Sequence, residues 1–343
     1  MKPLQTLEQT RPQGAAVAGF KAPPLRVGAM IPQGWVMDLP ADLPADQQWR
    51  VMVRVARTLE AAGFDSGWLY DHFHTVPTPQ TSSVFECWIS TAALLSQTVT
   101  LRIGQLVTCN SYRNPALLAK MAATADVLSG GRLEFGIGAG WYEHEYRGYG
   151  YPFPRAGERI AMLEEALEVI GRLWSEPSVT YEGRYYQLRD AYCDPKPLQR
   201  PRPPVLVGGG GERRTLAVVA RHADRANFGG SLDNFRHKAD VLLDHCRRVG
   251  RDPAQLELTY SCPVLIGRDR DEVDRQVARY VGPGADLDRL RQESAVGVPE
   301  EVAAYLRRFV EAGASYLILN IRGAAELWPL ELFAEEVLPL LRS

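Results

Sequence analysis

The chain has 343 residues, a formal charge of −2, a pI near 6.3 and 45% apolar residues. That length admits one large α/β barrel or two domains, and the balanced charge gives no global electrostatic reason to bind nucleic acid. No window approaches the ~18 apolar residues of a membrane span, and five scattered cysteines without a C-x-x-C argue against a disulfide framework or a zinc knuckle.

Residues 1–24 lack the central apolar run of a signal peptide and read as a loose tail, which with the cysteine usage suits a reducing cytoplasm. "LRVGAMI" (25–31), bounded by prolines, is a predicted buried strand. "QQWRVMVRVARTLEAAGF" has apolar residues at helical spacing and stops at Gly63. "SGWLY" (66–70) is a second strand, "FECWISTAALLSQ" a helix and "TLRIGQLVT" (100–108) a third strand. Asn114-Pro115 opens the next helix and Gly130-Gly131 closes it. "RLEFGIG" (132–138), "PPVLVGG" (203–209), a short stretch at Ala226 and Asn227, "LELTYSCPVLIG" (256–267) and "SYLILNI" (315–321) supply five more strands, with helical segments between them.

About eight β-then-α units result, and one joint recurs: "LEAAGFDSGWL" and "VEAGASYLIL" both run helix, Ala-Gly, strand. Repeated joints of this kind suit a closed parallel (β/α)8 barrel over residues 25–343, with its active site at the carboxyl ends of the strands. A doubly wound open sheet is the alternative. Two segments break the rhythm, at about 176–203, where a hairpin turns at Glu182-Gly183, and at about 280–299. They are lids, binding loops or plain surface excursions.

The glycines at 136, 138 and 140 do not make a dinucleotide fingerprint, because no helix starts at them; "WYEHEYRGYGYPFP" follows. Glu143, His144 and Glu145 are adjacent rather than spaced as metal ligands, so no metal site is expected. What remains is a strand end whose small residues let a flat ligand approach, followed by an aromatic and acidic loop. "VLVGGGGERRTL" is the candidate anion site: four glycines between a strand and a helix present backbone N–H groups, and Arg213 and Arg214 stand beside them. A plain tight turn is the alternative. In "YDHF" (70–73), a carboxylate next to His72 suggests a proton donor held by Asp71. His222, His237 and His245 fall on helices at positions expected to face solvent.

These pieces together resemble the luciferase-like family of flavin- and deazaflavin-dependent oxidoreductases. The resemblance is carried by "GFDSGWLYDHF", by the block from "YRNPALLAKM" to "YRGYGYPF", by "GRYYQLRDAYCDPKPLQRPRPPVLVGGGGERRTLAVVARHADRANF", and by "VGVPEEVAAYLRRFVEAGASYLIL". It covers about residues 25–320 and is strongest to the branch that uses coenzyme F420, a deazaflavin. The resemblance implies a (β/α)8 barrel, a homodimer, a ring lying across the strand ends, and a phosphate tail at Gly208, Gly209, Gly210 and Gly211. It implies Asp71 and His72 as the ring-side pair, and a non-prolyl cis peptide in the bulge at Gln105, Leu106, Val107 and Thr108, expected at Gln105–Leu106. Gly138, Gly140, Trp141 and Tyr142 complete the cofactor wall with Trp35. In the sugar-phosphate dehydrogenase branch a glutamate follows the fourth-strand G-x-G as proton donor; here Trp141 stands there, and Glu143 is the reserve acid. The function so implied is hydride transfer between F420 and a small organic substrate, with a separate reductase as electron source. An FMN-dependent monooxygenase working with a partner reductase, and a non-catalytic flavin-binding protein, are the alternatives.

Overall fold

The structure, a computed structural model, describes residues 19–281 and 286–343. Eight parallel strands close on themselves: β1 (Arg26–Met30), β2 (Ser66–Leu69), β3 (Arg102–Gln105), β4 (Leu133–Gly138), β5 (Val205–Gly208), β6 (Arg225–Phe228), β7 (Glu257–Ile266) and β8 (Ala314–Ile321). Each pairs with its neighbours in chain order, and β8 returns to β1 with Tyr316 opposite Arg26. The closed barrel is therefore the architecture, and the open sheet is not. The strands carry β-branched and other apolar residues on both faces, as a sheet covered by helices outside and side chains within requires.

Around the barrel lie α1 (Ala45–Ala61), α2 (Cys87–Gln97), α3 (Pro115–Leu128), α4 (Glu143–Gly148), α5 (Ala156–Ser175), α6 (Thr215–His222), α7 (Leu232–Val249), α8 (Arg270–Val281), α9 (Leu287–Glu293) and α10 (Pro299–Glu311). In α1 the buried stripe Val51, Met52, Val55, Ala56 and Leu59 repeats every three or four residues, which turns one face to the barrel. Asn114 caps α3 through its side chain, which accepts from the Ala116 N–H at 2.8 Å, with Pro115 in the first turn. Gly63 and Gly313, at the two repeated αβ joints, have φ of 78° and 111°, a conformation that strains any residue with a Cβ.

Of the two irregular segments, the first holds the expected hairpin, Val179–Glu182 against Gln187–Ala191. The second contains α9 and a short strand, Ala295–Gly297, added beside β7; residues 282–285 of it lie outside the described residues. Residues 1–18 of the expected tail also lie outside them. Lys21, within the span assigned to that tail, donates its N–H to Leu256 O at 2.8 Å, so the chain is already docked there.

The amino end of the barrel is filled by charge. Glu134 on β4 and Glu257 on β7 are buried, and Arg26, Arg102 and Arg225 converge on them. Gly104 on β3 leaves the space that the Glu134 side chain occupies; a Cβ there would lie 2.5 Å from the Glu134 Cβ. Burial raises the Glu134 carboxyl, but the arginines, Arg225 foremost, outweigh it and hold the group below the usual carboxylate range. Removing one partner of a buried charge network leaves the others uncompensated. In urea unfolding, Glu134→Ala is expected to lose ~3–5 kcal/mol. Arg147→Ala, which breaks only an exposed pair with Glu143 on α4, is expected to lose less than ~1 kcal/mol.

Candidate active site

The carboxyl ends of the strands open onto a cavity of about 510 Å³. Its floor is shaped by the third strand. After Gln105 the chain turns through a cis peptide between Leu106 and Val107 and resumes at Thr108–Cys109, which pairs with the end of β4. The bulge lies within Gln105 to Thr108 as expected, but its cis peptide falls one bond after the expected Gln105–Leu106. The Leu106 N–H still donates to Leu69 O at 2.8 Å, so the ladder with β2 runs through that residue and the turn follows it. Val107 then rises between two bare glycines: a Cβ on Gly138 would meet its side chain at 2.7 Å, and one on Gly208 at 2.8 Å. The strand ends thus form a low shelf on which a flat molecule can lie against the backbone. Gln105 is buried behind the shelf, with its amide on Thr91 at 3.0 Å, and does not line the cavity.

Asp71 and His72 both line the cavity, but they do not form a pair. Successive side chains on an extended segment point to opposite sides. Asp71 accepts from the Cys109 N–H at 2.8 Å and from both terminal nitrogens of Arg113, at 2.6 and 3.0 Å, tying the end of β2 to the segment after β3. His72 is held instead by Glu145, whose Oε2 lies 2.8 Å from Nδ1. The same carboxylate accepts from the Phe73 N–H at 2.6 Å, the His74 N–H at 2.9 Å and the Tyr112 hydroxyl at 2.7 Å. Trp35 stacks on the imidazole, 4.2 Å between centroids and 4° from parallel, and Trp141 meets it edge-on at 5.8 Å.

The reserve acid is displaced too. Glu143 lies on the outer face of α4, paired with Arg147 at 2.7 Å, and does not reach the cavity. Glu145 is two residues on, and on a helix residues so spaced do not share a face. Trp141, where the acid of the sugar-phosphate branch would stand, borders the cavity with its ring mostly exposed. Tyr142 turns away and donates its hydroxyl to Thr75 O at 3.0 Å.

The glycine run divides between two places. Gly208 and Gly209 line the main cavity, whereas Gly210 and Gly211 line an adjoining groove with Arg213, Arg214 and Lys238. Ile160 and Thr215 border both, so cavity and groove are continuous. Arg213 and Arg214 have no carboxylate partner among the described residues, while Lys238 is paired with Glu212 at 2.6 Å. His245, expected to face solvent, is buried: it donates from Nε2 to Glu212 O at 2.7 Å and pins the end of the glycine turn to α7. A further cation was not foreseen. Arg159 on α5 is buried at the cavity wall, donating to Gly140 O at 3.2 Å and to Pro154 O, with no acidic partner among the described residues. A long helix that starts with "AGER" beside a glycine-rich loop was the available signal for it. Among the described residues no three His, Cys, Asp or Glu side chains converge to hold a metal ion.

Residues 33–316 match the luciferase-like monooxygenase family. The chain belongs to that family. It is 30% identical over 331 residues to the F420-dependent glucose-6-phosphate dehydrogenase of Intrasporangium calvum, covering 83% of this chain and 92% of the relative. Among solved structures, the fold matches an F420-dependent secondary alcohol dehydrogenase in complex with an F420-acetone adduct, with a TM-score of 0.79 and 21% identity over 93% of this chain and 100% of the other. It also matches the FMN complex of the oxygenating constituent of 3,6-diketocamphane monooxygenase from Pseudomonas putida, at 0.73 and 20%, over 92% and 98%.

Within this family barrel, the mouth depends on Glu145. Burial raises its carboxyl, but the His72 ring, the His74 N–H and the Tyr112 hydroxyl more than offset that and leave it below the ordinary value. A carboxyl lowered in the fold stabilises it above the unfolded value, and that contribution is lost as pH falls below 4.5 through the lower folded value. At pH 7, Glu145→Gln is expected to cost about 1–3 kcal/mol, because an amide NH2 cannot accept at the second oxygen position. The gap between variant and parent in urea unfolding is expected to narrow from pH 7 to pH 4.

Proposed function

We propose that this chain is a coenzyme F420-dependent oxidoreductase, built as one barrel domain over residues 25–343 and acting on a small organic substrate. The observation that carries this reading is the shelf at Gly138, Val107 and Gly208, continuous with a groove that holds two unpaired arginines. A planar ring fits the shelf, and an anionic tail fits the groove. The cavity volume lies within the range of ordinary cofactor and ligand sites.

Leu106, Val107, Thr108, Gly138, Gly140 and Trp141 would face the ring. Gly208 to Gly211, with Arg213, Arg214 and Arg159, would hold the tail through N–H groups and charge. When bound, the deazaflavin supplies hydride chemistry, since carbon replaces the reactive flavin nitrogen. His72 handles the proton. With Nδ1 fixed on Glu145, Nε2 is the free nitrogen of the ring, and it serves the substrate atom whose charge changes as hydride moves. Trp35 on one face of the imidazole and Trp141 at its edge restrict its rotation and shield it from water. Asp71 keeps the ring end of β2 in place through Arg113 and Cys109.

Fluorescence titration of the purified protein is expected to give tight binding of F420 and weak binding of FMN. His72→Ala is expected to keep F420 affinity within a few-fold and to lower turnover about 10²–10⁴-fold. Arg213→Ala with Arg214→Ala is expected to weaken F420 binding with turnover at saturation retained. Preference for FMN, with oxygen uptake and a hydroxylated product, would support the monooxygenase alternative instead. An F420 reductase or another F420-dependent dehydrogenase would return the cofactor to its starting state.

The same proposal includes a homodimer in the cytoplasm. All five cysteines are free and buried, and no described helix is long and apolar enough to cross a membrane. The outward faces of α2 and α3 are apolar where most other helices are charged: Ile89 is 73% exposed and Leu128 71%. Ala92, Ala93 and Ser96 between them are small enough for a partner helix to approach closely. A second copy of the chain would cover this face. Light scattering after size exclusion is expected to give a dimer that Ile89→Glu with Leu128→Glu converts to monomer; a monomeric parent would remove the proposal.

A further inference from the structure

A second and larger cavity, about 1070 Å³, opens on the far side of Trp141. It shares Met30, Trp141 and Asn320 with the first, so the two communicate across the mouth of β1 and β8. Its inner wall is the segment just past β8. Arg322, the residue immediately after that strand, donates its backbone N–H to Val264 O at 2.9 Å, which fixes where its side chain starts. The side chain is half-buried, lines this cavity, and has no hydrogen bond or ion pair among the described residues.

The other charges of the cavity are accounted for. Arg279 is paired with Glu326, which also accepts from Trp328 Nε1 at 3.1 Å. The Asp38 carboxylate is turned to its own loop, accepting from Gln33 N–H at 3.2 Å and Gly34 N–H at 2.7 Å. Burial raises that carboxyl while those N–H groups and Arg322 oppose it, so Asp38 lies near enough to feel the guanidinium but makes no ion pair with it. Asp42 stands at the exposed rim. A guanidinium lining an open cavity offers five N–H donors in a fixed fork, which a ligand can take in place of water. Carboxylate and phosphate both fit that fork in a bidentate manner.

We infer that the second cavity receives the substrate, and that Arg322 selects substrates bearing a carboxylate or phosphate group. The inference rests on the functional reading above and deepens it, placing the anionic end of the substrate beyond Trp141 and its reacting carbon at the boundary of the two cavities, towards His72. Arg322 is a specificity residue and takes no part in the proton step.

The test is calorimetric titration of the full chain with benzoate, phenyl phosphate and benzamide, three ligands of similar shape and different charge. Benzoate or phenyl phosphate is expected to bind at least tenfold more tightly than benzamide, and whichever leads identifies carboxylate or phosphate as the natural group. Arg322→Gln is expected to erase the preference, and Arg322→Lys to retain part of it, since the charge remains but the fork does not. Equal affinities for the three ligands in the parent protein, or a preference that survives Arg322→Gln, would overturn the inference. Parent and variants are also titrated with F420. Failure of F420 to bind the parent sinks the functional reading and leaves the anion preference standing, whereas normal F420 binding without that preference sinks only the inference.

Discussion

The mouth of this barrel is organised around one carboxylate withdrawn from solvent. Glu145 takes four hydrogen bonds, from His72, from the Phe73 and His74 N–H groups, and from Tyr112. It thereby joins three separate pieces of chain: the loop after β2, the turn after β3, and α4 after β4. A buried ion is unfavourable unless its lone pairs are matched, and here the matching partners are the groups whose positions the site requires. The imidazole proposed to handle the proton is thus fixed by the same bonds that make burial of Glu145 tolerable. Loosening any of the three segments exposes the carboxylate to an unsatisfied state, so the mouth is ordered as a unit.

A similar logic runs through the barrel from end to end. At the amino end Glu134 and Glu257 are matched by three arginines, and the cluster closes the barrel where aliphatic side chains would otherwise have to fill a wide opening. At the carboxyl end Arg159, Arg213, Arg214 and Arg322 form no ion pair among the described residues, although the Asp38 carboxyl feels the charge of Arg322. Charge at the sealed end is paired, whereas the open end mixes pairs such as Arg113 with Asp71 and Arg279 with Glu326 with arginines that have none. In a chain with a net charge of only −2, that contrast is what singles out the unpaired arginines as the proposed ligand contacts.

Much of this was legible before any coordinates. Eight buried strands show as short apolar runs because both faces of a barrel strand are covered, and the Ala-Gly joints mark where helices must stop. The glycine run at 208–211 declared itself by excess, since one glycine suffices for a tight βα turn. What escaped depends on phase and on distant partners. Asp71 and His72 looked like a pair because they are adjacent, although the two-residue period of extended chain sends them apart. Glu143 was preferred to Glu145 because the six-residue helix that separates their faces is too short to show a period. The cis bond fell one residue late because a single ladder hydrogen bond to Leu69 extends β2 pairing through Leu106. Glu134 and Arg225 were visible as charges inside apolar strands, but their mutual contact spans 91 positions and appears only when the barrel closes.

Trp141 shows how these constraints bear on chemistry. An acid at that position would present a second proton source directly over the shelf, close to His72. The indole removes it, and what it leaves is an aromatic divider with one cavity on each side. In the proposed reading, proton handling falls to His72, whose geometry is enforced from below by Glu145 and from the side by Trp35. With a single fixed imidazole, the substrate's reacting atom must come to His72, and its orientation has to be set from elsewhere. The second cavity offers an approach past Trp141, from the side that Arg322 lines. On that reading, an indole in place of an acid at the mouth and a guanidinium without an ion pair in the adjoining chamber are linked features of one arrangement, in which position rather than a second catalytic group directs the reaction.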